Sequence, residues 1–183
     1  IPAELDELIN IANKHNLYII EDCAVSLGSK YKGTRAGKFG VGGVHSFHRT
    51  KTIATGEGGV LLLDDDKLFE RANFLRDHGR SSKIAYYTLE ATPKYMPSNL
   101  QASMAWAQFQ RIDELVNRKR YLLHRYKENL SDIDGLEFNL ETDDVYNGVW
   151  ATTMVFGKSH NIKKLDAIEK LAELATEINQ NVE

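Results

Sequence analysis

One cysteine, three prolines and no long apolar run mark this 183-residue chain, and each scarcity removes a class of protein. A single thiol, Cys23, cannot close an internal disulfide, so no cross-linked scaffold is encoded. No stretch approaches the ~18 consecutive apolar residues of a membrane-spanning helix, and no charged-then-apolar leader is visible. The expected compartment is the cytoplasm. Charge of one sign is also lacking: 23 Lys+Arg stand against 26 Asp+Glu, a net of −3, which gives no electrostatic case for nucleic acid or an anionic membrane. No GxxxxGK[ST] phosphate loop occurs, and no His/Cys spacing marks a metal site. A hydrophobic content of 42% is enough for one domain with a core.

The stretch that is rich in signal runs from Val44 to Val60, VHSFHRTKTIATGEGGV. Val44 to His48 reads as a strand, in which Ser46 and His48 face one way and His45 and Phe47 the other. His45 and His48 therefore cannot chelate one metal ion while the strand is regular. The polar segment that follows carries Lys51 and ends in Thr55-Gly56-Glu57-Gly58-Gly59. GEGG by itself fits a plain hairpin turn, and a lone lysine is most often a solvated charge.

A second stretch raises the interest of the first. Leu17-Tyr18-Ile19-Ile20-Glu21-Asp22 is a short apolar run without helical period, preceded by an amphipathic segment from Ala3 to Asn16. Helix followed by buried strand predicts an α/β unit with a parallel sheet, in which ligands sit beyond the carboxyl ends of strands. Asp22 stands at such an end. A carboxylate there and a lysine at the mouth of another strand are the two charged groups that a pyridoxal phosphate site needs. The amine bonds the aldehyde as a Schiff base, and the carboxylate keeps the pyridine nitrogen protonated.

Four segments, IEDCAxSLG, SFHxTKxxxTGEGG, LRDHG and SNLQAxxAxAQxxRIDEL, together resemble the sugar aminotransferases of the DegT/DnrJ/EryC1/StrS family. The resemblance runs from about Pro2 to Arg125. It implies a fold-type-I, aspartate-aminotransferase-like architecture: a large domain with a mostly parallel sheet and flanking helices, and a small α+β domain. It also implies pyridoxal 5'-phosphate as cofactor and an active site at a homodimer interface. Lys51 is then the Schiff-base lysine that also moves the proton. Asp22 is the partner of the pyridine nitrogen, Ser46 a phosphate ligand, and Ala24 a small residue that lets backbone approach the ring. His48, Arg49 and Tyr95 become candidates for substrate contact. Two positions depart from the family pattern. Val25 stands where Gln or His commonly meets the cofactor's phenolic oxygen, and Met96 stands where a polar or basic residue reaches the partner subunit's phosphate.

The resemblance implies a much longer protein, so the chain reads as a fragment, with residues 1–135 in the large domain and 136–183 beginning the small one. Within the chain, Val60 to Leu63 reads as a buried strand, and Asp65 to Asp77 as a helix with Leu68, Phe69, Ala72 and Leu75 inward. Ser81 to Pro97 reads as a loop. A long helix opens at Ser98 with Gln101 completing a capping box. Leu136 to Leu140 and Val149 to Phe156 read as strands, and a helix starts at Ile162.

The implied activity is amino transfer from an amino acid, glutamate by preference, to a nucleotide-linked keto-sugar, most similar to the perosamine type. A dehydratase-type relative sharing the cofactor, and a non-catalytic dimerising scaffold with a decayed site, are the alternatives. Lys51 speaks against the dehydratases that carry histidine there.

Overall fold

The computed structural model describes residues 3–180. Helix α1 (Leu5–His15) buries Leu5 and Ala12 and stops at Asn16, which takes the left-handed conformation (φ 53°, ψ 48°) that asparagine tolerates better than most residues. The chain then enters β1 (Ile20–Asp22), which pairs in parallel with β4 (Gly42–Ser46) in the register Ile20↔Gly42, Glu21↔Gly43, Asp22↔Val44. Strand β5 (Gly59–Leu62) lies antiparallel on the other side of β4. The order β1-β4-β5 brings the carboxyl ends of β1 and β4 to one edge of the sheet.

A second sheet is assembled from distant segments. Strands β2 (Lys30–Tyr31), β3 (Thr34–Arg35) and β7 (Val145–Tyr146) take the order β3-β2-β7, all antiparallel. Tyr31 and Val145 join Leu5 of α1 in a small core, with Phe39 set edge-on to the Tyr31 ring at 5.9 Å. Strands β6 (Leu136–Phe138) and β8 (Met154–Phe156) pair with each other alone. The chain between them thus leaves this pair and joins β2 in the second sheet as β7.

The glycine-rich connection from Arg35 to Gly43 is held by a carboxylate. Glu21 accepts the backbone N–H groups of Gly37 (2.7 Å), Phe39 (2.6 Å) and Gly40 (2.9 Å), so donors with no ladder partner are satisfied by one side chain. The loop lies so close to β4 that a Cβ on Gly43 would meet Gly37 Cα at 2.5 Å.

Helix α2 (Asp66–Arg76) begins where Asp65 accepts the Leu68 N–H at 2.8 Å. The expected inward residues Leu68 and Phe69 are exposed, as are Val60, Leu61 and Leu62 of β5, Leu17 and Tyr18 before β1, and Ile20 within it. The reading of these strands as buried is corrected: no described element covers their faces.

Helix α3 (Asn99–Phe109) carries the expected capping box between Ser98 and Gln101. It does not run on as one long helix. At Arg111 the backbone leaves helical geometry (φ −115°, ψ 20°) with its N–H on Gln108 O, a three-residue step, and its guanidinium forks onto Glu114 in the first turn of α4 (Ile112–Asn129). Residues 149–153 are likewise not strand, because Val149 turns through φ 53°. Helix α5 (Lys164–Gln180) follows a 3-10 turn at Lys158–His160, and Leu165, Ile168 and Leu171 are exposed on it.

Arg120 of α4 ties the returning segment down. It pairs with Glu141, donates to Asn147 O at 2.5 Å and lies 3.9 Å from the Tyr146 ring centroid, while Glu141 accepts the Asn147 N–H at 2.9 Å. Burial pushes the Glu141 carboxyl up, but the Arg120 and Asn147 hydrogen bonds outweigh it and hold the group below its usual range. A carboxyl depressed in the folded state stabilises fully above its unfolded value, about 4.3, and loses that contribution as pH falls through the folded value. Urea denaturation from neutral to acid pH should therefore show a shallower acid limb for Glu141→Gln than for the wild type. At neutral pH the variant should be less stable by about 1–2 kcal/mol.

Candidate active site

Asp22 ends β1 with its carboxylate exposed. Its Oδ1 accepts the Ala24 N–H at 3.0 Å, an Asx turn that swings the chain out of the sheet. Cys23 remains on the ladder, its N–H on Val44 O at 2.8 Å, and its side chain is buried. Burial pushes the Cys23 thiol up against a Ser26 hydrogen bond that lowers it, with the charges of Glu21 and Asp22 adding to the rise. Val25 lines the same cleft as Asp22, together with Leu5, Leu8 and Ala36.

The lysine loop begins where β4 ends. The Ser46 hydroxyl oxygen accepts the His48 N–H at 3.2 Å, which leaves its proton available to donate. Across the loop, Phe47 N–H reaches Gly58 O, Arg49 N–H reaches Gly56 O and Thr55 N–H reaches Phe47 O, each at 2.8 Å. The Lys51 N–H donates to His48 O at 2.9 Å. Ile53, 1% exposed, anchors the loop, and the buried Thr55 hydroxyl donates to Glu57 O at 2.8 Å. A Cβ on Gly58 would meet that Thr55 oxygen at 2.7 Å, so the close turn requires glycine there.

Helix α3 closes the loop from outside. The Gln108 amide donates to Ala54 O at 2.8 Å and accepts from Ala54 N–H at 3.0 Å, replacing a strand neighbour. Gln101, seven residues earlier on the same helix face, donates to Glu57 O at 2.8 Å. From the other side comes Trp150. Its Nε1–H donates to Thr50 O at 2.8 Å, and Lys51 Nζ lies 4.5 Å from its ring centroid.

The structure thus brings Ser46, His48 and Lys51 into one loop, with Asp22 and Ala24 at the end of the adjacent strand. His48 turns its ring toward Thr50 Oγ1 (3.0 Å) and the Glu57 carboxylate (3.7 Å). Arg49 is exposed and makes no side-chain contact among the described residues. Tyr95 is set apart: its N–H donates to Arg76 O, its ring is 75% exposed, and no described contact joins it to the lysine loop. On the face opposite Ser46, His45 is buried with Nδ1 unpartnered, and burial pushes its pKa down against the opposing Glu21 charge.

Glu21, Gln101 and Gln108 escaped the sequence reading as parts of the site. The seven-residue spacing of the two glutamines inside SNLQAxxAxAQ was a visible signal. For Trp150 no local signal existed, since its partner lies 100 positions away.

A parallel α/β unit with a carboxylate at one strand end and a lysine loop beyond its neighbour has the fold of the fold-type-I pyridoxal phosphate enzymes. The comparisons agree. The aminotransferase TlmJ of Streptoalloteichus hindustanus superposes with a TM-score of 0.78 at 26% identity, over 86% of this chain and 43% of that one. In fold alone, the Streptococcus pneumoniae protein Spr1654 in its PLP form matches with a TM-score of 0.74 at 23% identity, over 82% of this chain and 44% of that one. The GDP-perosamine synthase of Escherichia coli O157:H7 is 32% identical over 84% of this chain and 42% of its own length. The model of the DegT/DnrJ/EryC1/StrS aminotransferase family matches residues 1–181, and the chain belongs to that family. It spans less than half the length of these relatives.

Replacing Gln108 by Ala leaves both polar groups of Ala54 without their partner. The variant should lose about 1–3 kcal/mol in denaturant titration, and amide exchange should rise at residues 50–57 before it rises in β4.

Proposed function

We propose that this chain is the lysine-bearing part of a pyridoxal phosphate-dependent aminotransferase that moves an amino group from an amino acid, glutamate by preference, onto a nucleotide-linked keto-sugar. The observation that supports this most is the chemistry of the donor set at one sheet edge. An exposed carboxylate, Asp22, and a hydroxyl with its proton free, Ser46, terminate neighbouring parallel strands, and the amine of Lys51 stands on the loop between them and α3. Those three groups fit a ligand with a basic ring nitrogen, a phosphate and an aldehyde.

When bound, the cofactor supplies an electron sink for the bonds of the amino-bearing carbon. Lys51 would bond its aldehyde carbon, and the amine once released would take and return the proton at the reacting carbon. Asp22 would hold a proton on the ring nitrogen. Ser46 would donate to the phosphate, and Ala24 has no bulk to keep the ring away. Val25 offers no hydrogen bond, so any donor to the phenolic oxygen must come from elsewhere. His48 and Arg49 would meet the sugar nucleotide, where an exposed guanidinium suits a diphosphate. Tyr95 is the remaining candidate for substrate contact. Met96 offers no charge to a phosphate.

We assign residues 1–135 to the large domain and 136–183 to the beginning of the small one, in a cytoplasmic homodimer. Among the described residues no helix is long and apolar enough to cross a membrane. Similarity to GDP-perosamine synthase favours an acceptor of the perosamine type.

Absorption spectra with pyridoxal phosphate test the reading. The full-length protein should show a visible band that bleaches on adding glutamate, and its Lys51→Ala variant should show none. Asp22→Ala should keep the Lys51-dependent band but lose about 10²–10⁴-fold in the rate of bleaching. Absence of any Lys51-dependent band refutes the assignment in favour of a scaffold. A keto-sugar consumed without net gain of nitrogen would identify a dehydratase instead.

A further inference from the structure

Residues 147–149 are buried and closely held, and the chemistry proposed above gives them no task. Val149 is β-branched, 1% exposed and held at φ 53°, a conformation that L residues with bulk at Cβ rarely adopt. Such a conformation persists only where its surroundings over-determine it, and here they do. The Asn147 side chain, in a residue 5% exposed, accepts the Val149 N–H at 2.8 Å. Gly148 donates to Ser29 Oγ at 2.9 Å and fits so closely that a Cβ would meet Leu27 O at 2.3 Å. Arg120 and Glu141 grip Asn147 from α4 and the loop before β7. All of this fixation ends in one side chain, the Trp150 indole, which reaches the lysine loop.

The indole makes two contacts there, and they are of different kinds. Its N–H donates to Thr50 O, the carbonyl immediately before Lys51, and fixes the backbone from which the lysine springs. Its face lies 4.5 Å from Lys51 Nζ, within the range of a cation–π contact, and fixes the direction of the amine. Backbone and side chain of one residue are thus held by one ring. Lys51 makes no side-chain hydrogen bond or ion pair among the described residues, which leaves the indole as its support.

We propose that Trp150 is the positioning residue for Lys51: a strained strap at 147–149 presses the indole onto the lysine loop, and the indole aims the amine at the site where its carbonyl ligand arrives. The inference rests on the assignment of Lys51 as the amine that bonds pyridoxal phosphate. The function of the strain is stiffness, since a relaxed, mobile tryptophan would not hold a flexible four-carbon chain in one direction.

Two measurements on the full chain test it, and one needs no cofactor. After reductive methylation with carbon-13 formaldehyde, the Lys51 dimethylamine signal, assigned by its loss in Lys51→Ala, should be shifted upfield by the indole ring current. The shift should vanish in Trp150→Leu. In the second measurement, pyridoxal phosphate is added, the adduct is fixed with borohydride, and the labelled lysines are counted by peptide mass spectrometry. Trp150→Leu should slow labelling of Lys51 about tenfold while other lysines label as before. Trp150→Phe, which keeps a face and loses the N–H, should slow it about threefold. Circular dichroism of Trp150→Phe guards against loss of fold, and that variant decides the case if Trp150→Leu does not fold. A Lys51 signal without ring-current shift, or wild-type labelling rates in a folded Trp150 variant, overturns the inference. If pyridoxal phosphate leaves Lys51 unlabelled in the wild type, the aminotransferase reading fails, while the ring-current shift still decides whether the indole holds the lysine.

Discussion

The structure depends on satisfying the backbone of a loop that has too little regular structure to satisfy itself. Residues 47–58 must present an amine outside any helix or strand, yet Ile53 and Thr55 within them are buried. Buried N–H and C=O groups without partners would cost more than the loop's packing returns. The solution comes from three directions. The loop's own flanks pair Phe47, Arg49 and Thr55 with Gly58, Gly56 and Phe47. Gln108 and Gln101 reach in from α3, and Trp150 reaches in from the far end of the sequence. Gln101 and Gln108 sit on one helix, so the loop is braced from outside by a regular element.

The same logic runs one strand over. Glu21 points into the molecule and collects three N–H groups of the glycine-rich connection, while its neighbour Asp22 points out and keeps its carboxylate exposed. Adjacent residues of a strand face opposite ways, so one acidic pair serves two purposes. Glu21 builds the platform and Asp22 is left for a ligand. Parallel pairing of β1 with β4 then sets Asp22 beside the strand that ends in Ser46.

Much apolar surface on β5, α2 and α3 stays open, including Leu61, Phe69 and Trp106. The sequence pattern led to the expectation that Leu61 and Phe69 face a core, and the pattern is a statement about chemistry, not about which neighbour is present. The chain spans less than half the length of the relatives it resembles, and the described residues supply no cover for these faces.

The sequence by itself determined the local units: the α1–β1 step, the turn chemistry of TGEGG and the capping box at Ser98, and it marked Lys51, Asp22 and Ser46 as candidates. These are written in propensities, short spacings and motif wording, which need no distant neighbour. Tertiary structure alone decided the break between α3 and α4, where Arg111 turns to Glu114, and the left-handed bend at Val149, which no valine would choose unaided. It alone decided that Gln108 serves Ala54 and that Trp150 lies on Lys51. Those contacts join residues 54 and about 100 positions apart, and their existence follows from how the sheets and helices pack, which local periodicity does not encode.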